Sequence, residues 1–234
     1  MRDTLQLKHH EINAVIFDID GTLVDTFSAY FSVFNKGIGR YKSGPVSKEF
    51  LIDCLKKGLN LGEMLREILP SYADESLIER CKKEILELFL KVETDEVRPF
   101  PGADELFRKL KDRGIKIGIA TGRMSSPEYE WDIFRKFGLD KFVDTIVTTR
   151  EVKVRKPAPD VIIECAKRLE IPIQECIIVG DTESDVIAAK KAGAISVVLT
   201  PEQEYDDSAE EKKPDFIFRS LYDLAIFLEE QGMK

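Results

Sequence analysis

Histidine is nearly missing from this chain of 234 residues: there are two, His9 and His10, adjacent and ahead of the first apolar segment, where they read as surface residues. Cysteine is also scarce. Cys54, Cys81, Cys165 and Cys176 lie far apart within apolar patterns, which excludes zinc-type ligand spacing and reads as buried thiols of a reducing compartment. No apolar run reaches 18 residues, and the opening MRDTLQLKHHEIN has no apolar signal core, so the expectation is a cytoplasmic, soluble protein with no membrane partner. Positive charge is in deficit. The 35 Lys and Arg against 43 Asp and Glu give a net charge of −8, which argues against nonspecific binding to nucleic acid. Neither G-x-G-x-x-G after a strand nor a Walker A sequence occurs, which disfavours a dinucleotide-binding or P-loop domain.

What the chain does contain is organised around Ala14 to Thr26, AVIFDIDGTLVDT. The apolar run through Val15, Ile16 and Phe17, ended by Asp18, Ile19, Asp20 and Gly21, predicts a buried strand reaching a loop. Asp18 and Asp20 then stand past the strand's carboxyl end, where open α/β sheets bind ligands. Two carboxylates one residue apart repel each other, so the pair implies a metal, a proton or a nearby lysine.

After Thr26 the periodicity becomes helical and stays so to about Val92, with Phe27, Tyr30, Phe31 and Phe34 on one stripe and a capping box at Asn60 and Glu63. From Ala103 helix and strand alternate, which predicts a parallel sheet with right-handed crossovers. Strands are expected at Ile115 to Ala120, Thr145 to Thr148, Cys176 to Gly180, Ile195 to Leu199 and Phe216 to Phe218. The reading is an α/β chain whose sheet domain, residues 1–26 and 99–234, is interrupted by a helical cap, residues 27–98. The acidic stretch from Pro201 to Pro214 is expected to be a mobile surface loop.

Three further chemical sites follow predicted strands. Thr121 and Gly122 end the strand at Ala120 and can turn a hydroxyl and N–H groups toward a phosphate oxygen. Lys156 sits in VRKPAPD, its backbone stiffened by Pro157 and Pro159. Asp181 and Asp185, in GDTESD, place one carboxylate at a strand end and one in the first turn of a helix, where the helix dipole also favours it.

The order Asp-x-Asp, Thr, Lys-Pro, Gly-Asp-x-x-x-Asp resembles the four motifs of the haloacid dehalogenase superfamily, and FPGADELFRKL with AAKKAGA resembles its phosphoglycolate phosphatase and β-phosphoglucomutase branch. The resemblance implies a Rossmann-like parallel-sheet core and a phosphatase that is Mg²⁺-dependent, working through an aspartyl-phosphate on a small phosphorylated metabolite. It makes Asp18 the nucleophile, Asp20 the acid and base, and Thr121, Gly122 and Lys156 the phosphate-binding residues. The metal would be held by Asp18, the backbone carbonyl of Asp20, and Asp181, with Asp185 counted in the same site. Lys57 and Gly58, in the turn of the cap, and Arg123, directly after Thr-Gly, are the candidates for substrate specificity. A monomer or homodimer is expected. The same motifs serve hexose-phosphate mutases, while a phospho-accepting receiver module is disfavoured because here the Asp pair comes first and an acidic pair follows the lysine.

Overall fold

The structure, a computed structural model, describes residues 11–56, 59–95, 97–200, 205 and 208–231. Lys57 and Gly58, and much of the acidic stretch after Leu199, lie outside the described residues. The chain forms two compact units: one runs to Val24 and resumes at Arg98, and the other is Asp25–Val97. Among the described residues no helix is long and apolar enough to cross a membrane.

The second unit is helical: α1 (Thr26–Ile38), α2 (Lys48–Lys56), α3 (Leu61–Ile68) and α4 (Glu75–Asp95). Asp25 caps α1 by accepting from the Ser28 N–H at 3.1 Å, and Asn60 and Glu63 form the capping box of α3. Its core is built from Val33, Phe34, Ile38, Leu51, Met64, Leu65, Ile78 and Ile85 with the buried thiols of Cys54 and Cys81, and Phe27, Tyr30 and Phe31 of the aromatic stripe pack against it partly buried. This unit therefore has a core of its own.

The first unit is a six-stranded sheet in the order β3-β2-β1-β4-β5-β6. Its strands are β1 (Ala14–Phe17), β2 (Lys116–Thr121), β3 (Thr145–Thr148), β4 (Cys176–Gly180), β5 (Ile195–Leu199) and β6 (Phe216–Phe218), and every neighbouring pair is parallel. The helices between them are α5 (Ala103–Asp112), α6 (Pro127–Phe137), α7 (Asp160–Leu169) and α8 (Glu183–Ala192), with α9 (Leu221–Glu230) after β6. Strand side chains alternate between two buried faces, as a parallel sheet covered on both sides requires. Ile16 belongs to the cluster with Ile162, Cys165 and Leu169 of α7, whereas Phe17 meets Phe107 of α5, ring centroids 5.1 Å apart.

Topology fixes the position of the site. The chain steps outward from β1 to β2 and β3, then returns to place β4 on the other side of β1. The crevice above the carboxyl ends of β1 and β4 is thus the topological switch point, where such sheets bind ligands. Register pairs Phe17 with both Ile119 and Val179, so Asp18 emerges level with Ala120 and Gly180. The loop after β1 folds back through isolated bridges from Val24 to Asp20 and to Pro99, which hold exit and re-entry of the chain side by side.

The acidic stretch is not wholly irregular where it is described. Glu210–Lys212 forms a 3-10 turn, tied to α8 by Lys190 Nζ donating to the Glu210 carbonyl at 2.6 Å and by the Lys212–Glu183 ion pair at 2.8 Å. Charge pairing, which composition alone does not reveal, orders this part of the loop.

Close approach of α7 to the sheet depends on Gly118 in β2, where a Cβ would stand 2.5 Å from Cys165 Sγ and 3.1 Å from Leu169 Cδ1. Gly118→Ala is expected to destabilise the fold by about 1–3 kcal/mol, the cost of overpacking a filled core. Removing the sulfur with Cys165→Ala in the same chain should recover part of the loss, measured as urea midpoints at constant slope. Equal midpoints for Gly118→Ala and the double variant would show that this contact does not limit packing.

Candidate active site

Each acidic residue of the site is placed by the end of a strand. Asp18 follows β1 directly, its N–H donating to the Val179 carbonyl at 2.9 Å, and it is buried. Asp181 follows β4, and one of its oxygens accepts from the Thr22 hydroxyl at 3.1 Å. Gly21 allows this approach: its φ is +77°, and a Cβ there would lie 2.1 Å from Asp181 Oδ2. Asp185 is the third residue of α8 and shares a capping box with Thr182.

Lys156 joins these ends. Its ammonium donates to Asp18 Oδ1 at 2.8 Å, Asp185 Oδ1 at 2.7 Å and the Ala120 carbonyl at 2.7 Å. Those three acceptors use all three of its protons. Asp185 is equally committed, since its other oxygen accepts from the Thr182 hydroxyl at 2.6 Å and the Thr182 N–H at 3.1 Å.

Thr121, the last residue of β2, is buried, and its hydroxyl oxygen accepts from the Arg123 N–H at 3.2 Å. Accepting that bond leaves its O–H as a donor. Gly122 is exposed in the same turn.

Arg123 follows the Thr-Gly turn and reaches back to the loop after β1. Its guanidinium grips Asp20 with two bonds, Nε to Oδ2 at 2.8 Å and Nη2 to Oδ1 at 2.7 Å, and turns Nη1 to Glu130 at 3.2 Å. All three guanidinium nitrogens are thus engaged by carboxylates of the protein itself. The structure thus gathers Asp18, Asp20, Thr121, Gly122, Arg123, Lys156, Asp181 and Asp185 within one unit, while Lys57 and Gly58 remain outside the described residues.

Sequence reasoning missed Thr22, Ser125 and Glu130. Glu130 is fully buried on α6, bonded to Arg123 and to the Ser125 hydroxyl. A signal was present: Glu130 falls in line with Ile133 and Phe134, the buried apolar face of α6. A carboxylate on such a face needs a charged partner.

The electrostatics follow from burial. Asp18 is pushed up to about 7, chiefly by desolvation, which Lys156 only partly offsets and to which Asp185 and Asp20 add. Burial also raises Asp181 well above the usual carboxylate range, reinforced by Asp185 and Asp18. Burial on its own would lower Lys156, but Asp18 and Asp185 outweigh it and hold it above the ordinary lysine value. Five carboxylates, those of Asp18, Asp20, Glu130, Asp181 and Asp185, face two fixed cations, Lys156 and Arg123. That excess of negative charge suits a divalent cation. Among the described residues no group of three or more His, Cys, Asp or Glu side chains is arranged to hold a metal. An ion beside Asp18 and Asp181 would therefore complete its shell with backbone oxygen and water, which is the habit of Mg²⁺.

Comparison with known proteins gives consistent results. The family model for haloacid dehalogenase-like hydrolases matches residues 15–199. Pyrophosphatase PpaX of Halalkalibacterium halodurans is 29% identical over 214 residues, covering 92% of this chain and 95% of its own length. A phosphorylated carbohydrates phosphatase of Thermotoga maritima is 30% identical, covering 78% of this chain and 82% of its own. Among solved structures, a predicted phosphoglycolate phosphatase from Haemophilus somnus superposes with a TM-score of 0.76 at 20% identity, over 94% of this chain and 99% of that one. The β-phosphoglucomutase of Clostridium difficile gives 0.66 at 22% identity, over 94% and 96%.

Because the folded state raises Asp18 from 3.8 to about 7, it holds more protons than the unfolded chain between those values. The stability contributed by Asp18 is therefore full below its unfolded pKa and is lost as pH rises through about 7. In metal-free protein, the melting midpoint of the wild type relative to Asp18→Asn should fall steadily as pH is raised across this interval. Two midpoints that run parallel from acid to neutral pH would contradict the assignment.

Proposed function

This chain belongs to the haloacid dehalogenase-like hydrolases, and on that premise we propose that it hydrolyses a small phosphate ester or phosphoanhydride with Asp18 as the nucleophile. The observation that carries this reading is the Lys156 ammonium, which orients Asp18 Oδ1 at the switch point of the sheet and leaves the other carboxylate oxygen to attack.

In the first step that oxygen forms a bond to phosphorus, the bond to the leaving oxygen breaks, and Asp20 donates the proton that the leaving group takes up. Water then attacks the aspartyl-phosphate and gives its proton to Asp20, which releases phosphate and restores Asp18. Lys156 and the Thr121 hydroxyl, with the N–H groups of the turn after β2, offset charge on the phosphoryl oxygens. The family is generally metal-dependent. Mg²⁺ is the ion this donor set fits; Asp18, the Asp20 carbonyl and Asp181 would hold it, and it would supply positive charge against the phosphoryl group. Asp185 accepts from Lys156 on one oxygen and from Thr182 on the other, which supports a place for it beside the metal rather than as its main ligand. It acts on the reaction by fixing Lys156.

The Asp25–Val97 unit interrupts the sheet unit and has its own core, which supports a role as a substrate-selecting cap. Relatives named as a pyrophosphatase and as a phosphorylated carbohydrates phosphatase point to inorganic pyrophosphate and sugar phosphates as the first substrates to assay.

Phosphate release should require Mg²⁺, stop in excess chelator and return on readdition. Asp18→Asn should lower turnover by about 10³-fold or more, since it keeps the size of the nucleophile and removes its charge. Retention of more than about a tenth of wild-type rate in a folded Asp18→Asn protein would sink the assignment. Label from a sugar phosphate should appear as free phosphate; its transfer to another sugar hydroxyl would establish a mutase instead.

A further inference from the structure

A group that gives and then takes a proton, the part proposed for Asp20, has to be aimed at the atom it serves. The Asp20 side chain is 41% exposed, where a lone carboxylate would turn freely about two torsions, yet it is held in one plane by the parallel bonds from Arg123. A two-bond fork of this kind fixes orientation as well as distance. Arg123 is fixed in turn from behind. Glu130 is fully buried, and its oxygens receive Nη1 of Arg123 at 3.2 and 3.5 Å together with the Ser125 hydroxyl. A fully buried carboxylate is tolerated only when paired, so Glu130 commits the guanidinium to this position, and α6 thereby reaches the loop after β1. Asp20 and Arg123 are 103 residues apart in the chain, so the contact is a product of the fold.

We propose that Arg123, locked by Glu130 and Ser125, is a positioning residue that aims the Asp20 carboxylate at the leaving-group oxygen. It acts through Asp20 and does not bind substrate itself. The inference rests on the reading of Asp20 as proton donor and acceptor. Its consequence is selective: the network matters most for leaving groups that need a proton, and much less for those that depart as stable anions.

The test compares a hexose phosphate or other alkyl phosphate with para-nitrophenyl phosphate, whose phenolate leaves without a proton. Arg123→Lys keeps the charge and loses the fork. It should lower kcat on the alkyl phosphate by about 30-fold, within the range that proton transfer and its alignment supply, and by only a few-fold on para-nitrophenyl phosphate. Glu130→Gln keeps the side-chain volume and the Ser125 contact, and it should lower kcat on the alkyl phosphate more than on para-nitrophenyl phosphate, by a smaller factor than Arg123→Lys does. It also serves as the test should Arg123→Lys fail to fold.

The deciding measurement is a double-mutant cycle on the alkyl phosphate. In an Asp20→Asn background, Arg123→Lys should cost less than about twofold further, because the group it aims is gone. Equal losses on both substrates, losses that multiply in the double variant, or no loss in Arg123→Lys or Glu130→Gln would overturn the proposal. Asp18→Asn, assayed on both substrates, separates the two readings. If it is inactive while Arg123→Lys behaves additively, only the positioning role fails; if it remains active, the reaction itself has been misread.

Discussion

The active-site architecture depends on one buried ammonium. Lys156 reaches across the carboxyl ends of β1, β2 and β4 and makes three short bonds, two of them to carboxylates that are themselves buried. Removing it would leave Asp18 and Asp185 desolvated, mutually repelling and uncompensated, which is far costlier than losing a surface ion pair. The same bonds serve geometry. An ammonium with all three protons placed cannot swing, so the Asp18 carboxylate it holds stays at one orientation relative to the sheet.

That arrangement is possible because of strand order. With β4 returned to the far side of β1, residues distant in sequence emerge side by side, Asp18 level with Ala120 and Gly180. Small residues then let the loops close on one another. Gly180 is one: a Cβ there would stand 2.3 Å from Asp185 Cβ. The Gly-Asp pairing in the sequence is thus a packing requirement as well as a chemical one. The carboxylates are brought close enough to share a cation by backbone that has room for nothing else.

Much of this was legible. β1 and β4 announce themselves as unbroken apolar runs that end at Asp18 and Gly180, because a strand buried on both faces admits little else. Asp20, Thr121 and Asp181 could be located for the same reason, whereas Lys156 stood out only through the order of motifs that resembles the family, since a lone lysine reads as solvated. Spacing does not say which oxygen of a carboxylate is already spoken for, so the bonds of Asp185 to Lys156 and Thr182 were not legible. Nor could Arg123 be assigned, since its partner lies 103 residues away and any surface arginine reads alike. Glu130 was hidden for a different reason. Charged residues are common on helices, and only its alignment with Ile133 and Phe134 marks it as buried.

The two aspartates of the first motif also resolve their mutual repulsion in different ways, and the difference suits their chemistry. Asp18 points inward to Lys156, with 11% of its side chain exposed, while Asp20 turns the other way to Arg123 with 41% exposed. Each carboxylate has its own cation, one on either side, so the pair need not share a proton as a closely facing dyad must. The inward member is shielded from water and held still, which suits the nucleophile proposed there. The outward member keeps contact with solvent, which suits the proton donor and acceptor proposed at Asp20. Environments this unlike, two residues apart, separate the roles of two chemically identical side chains.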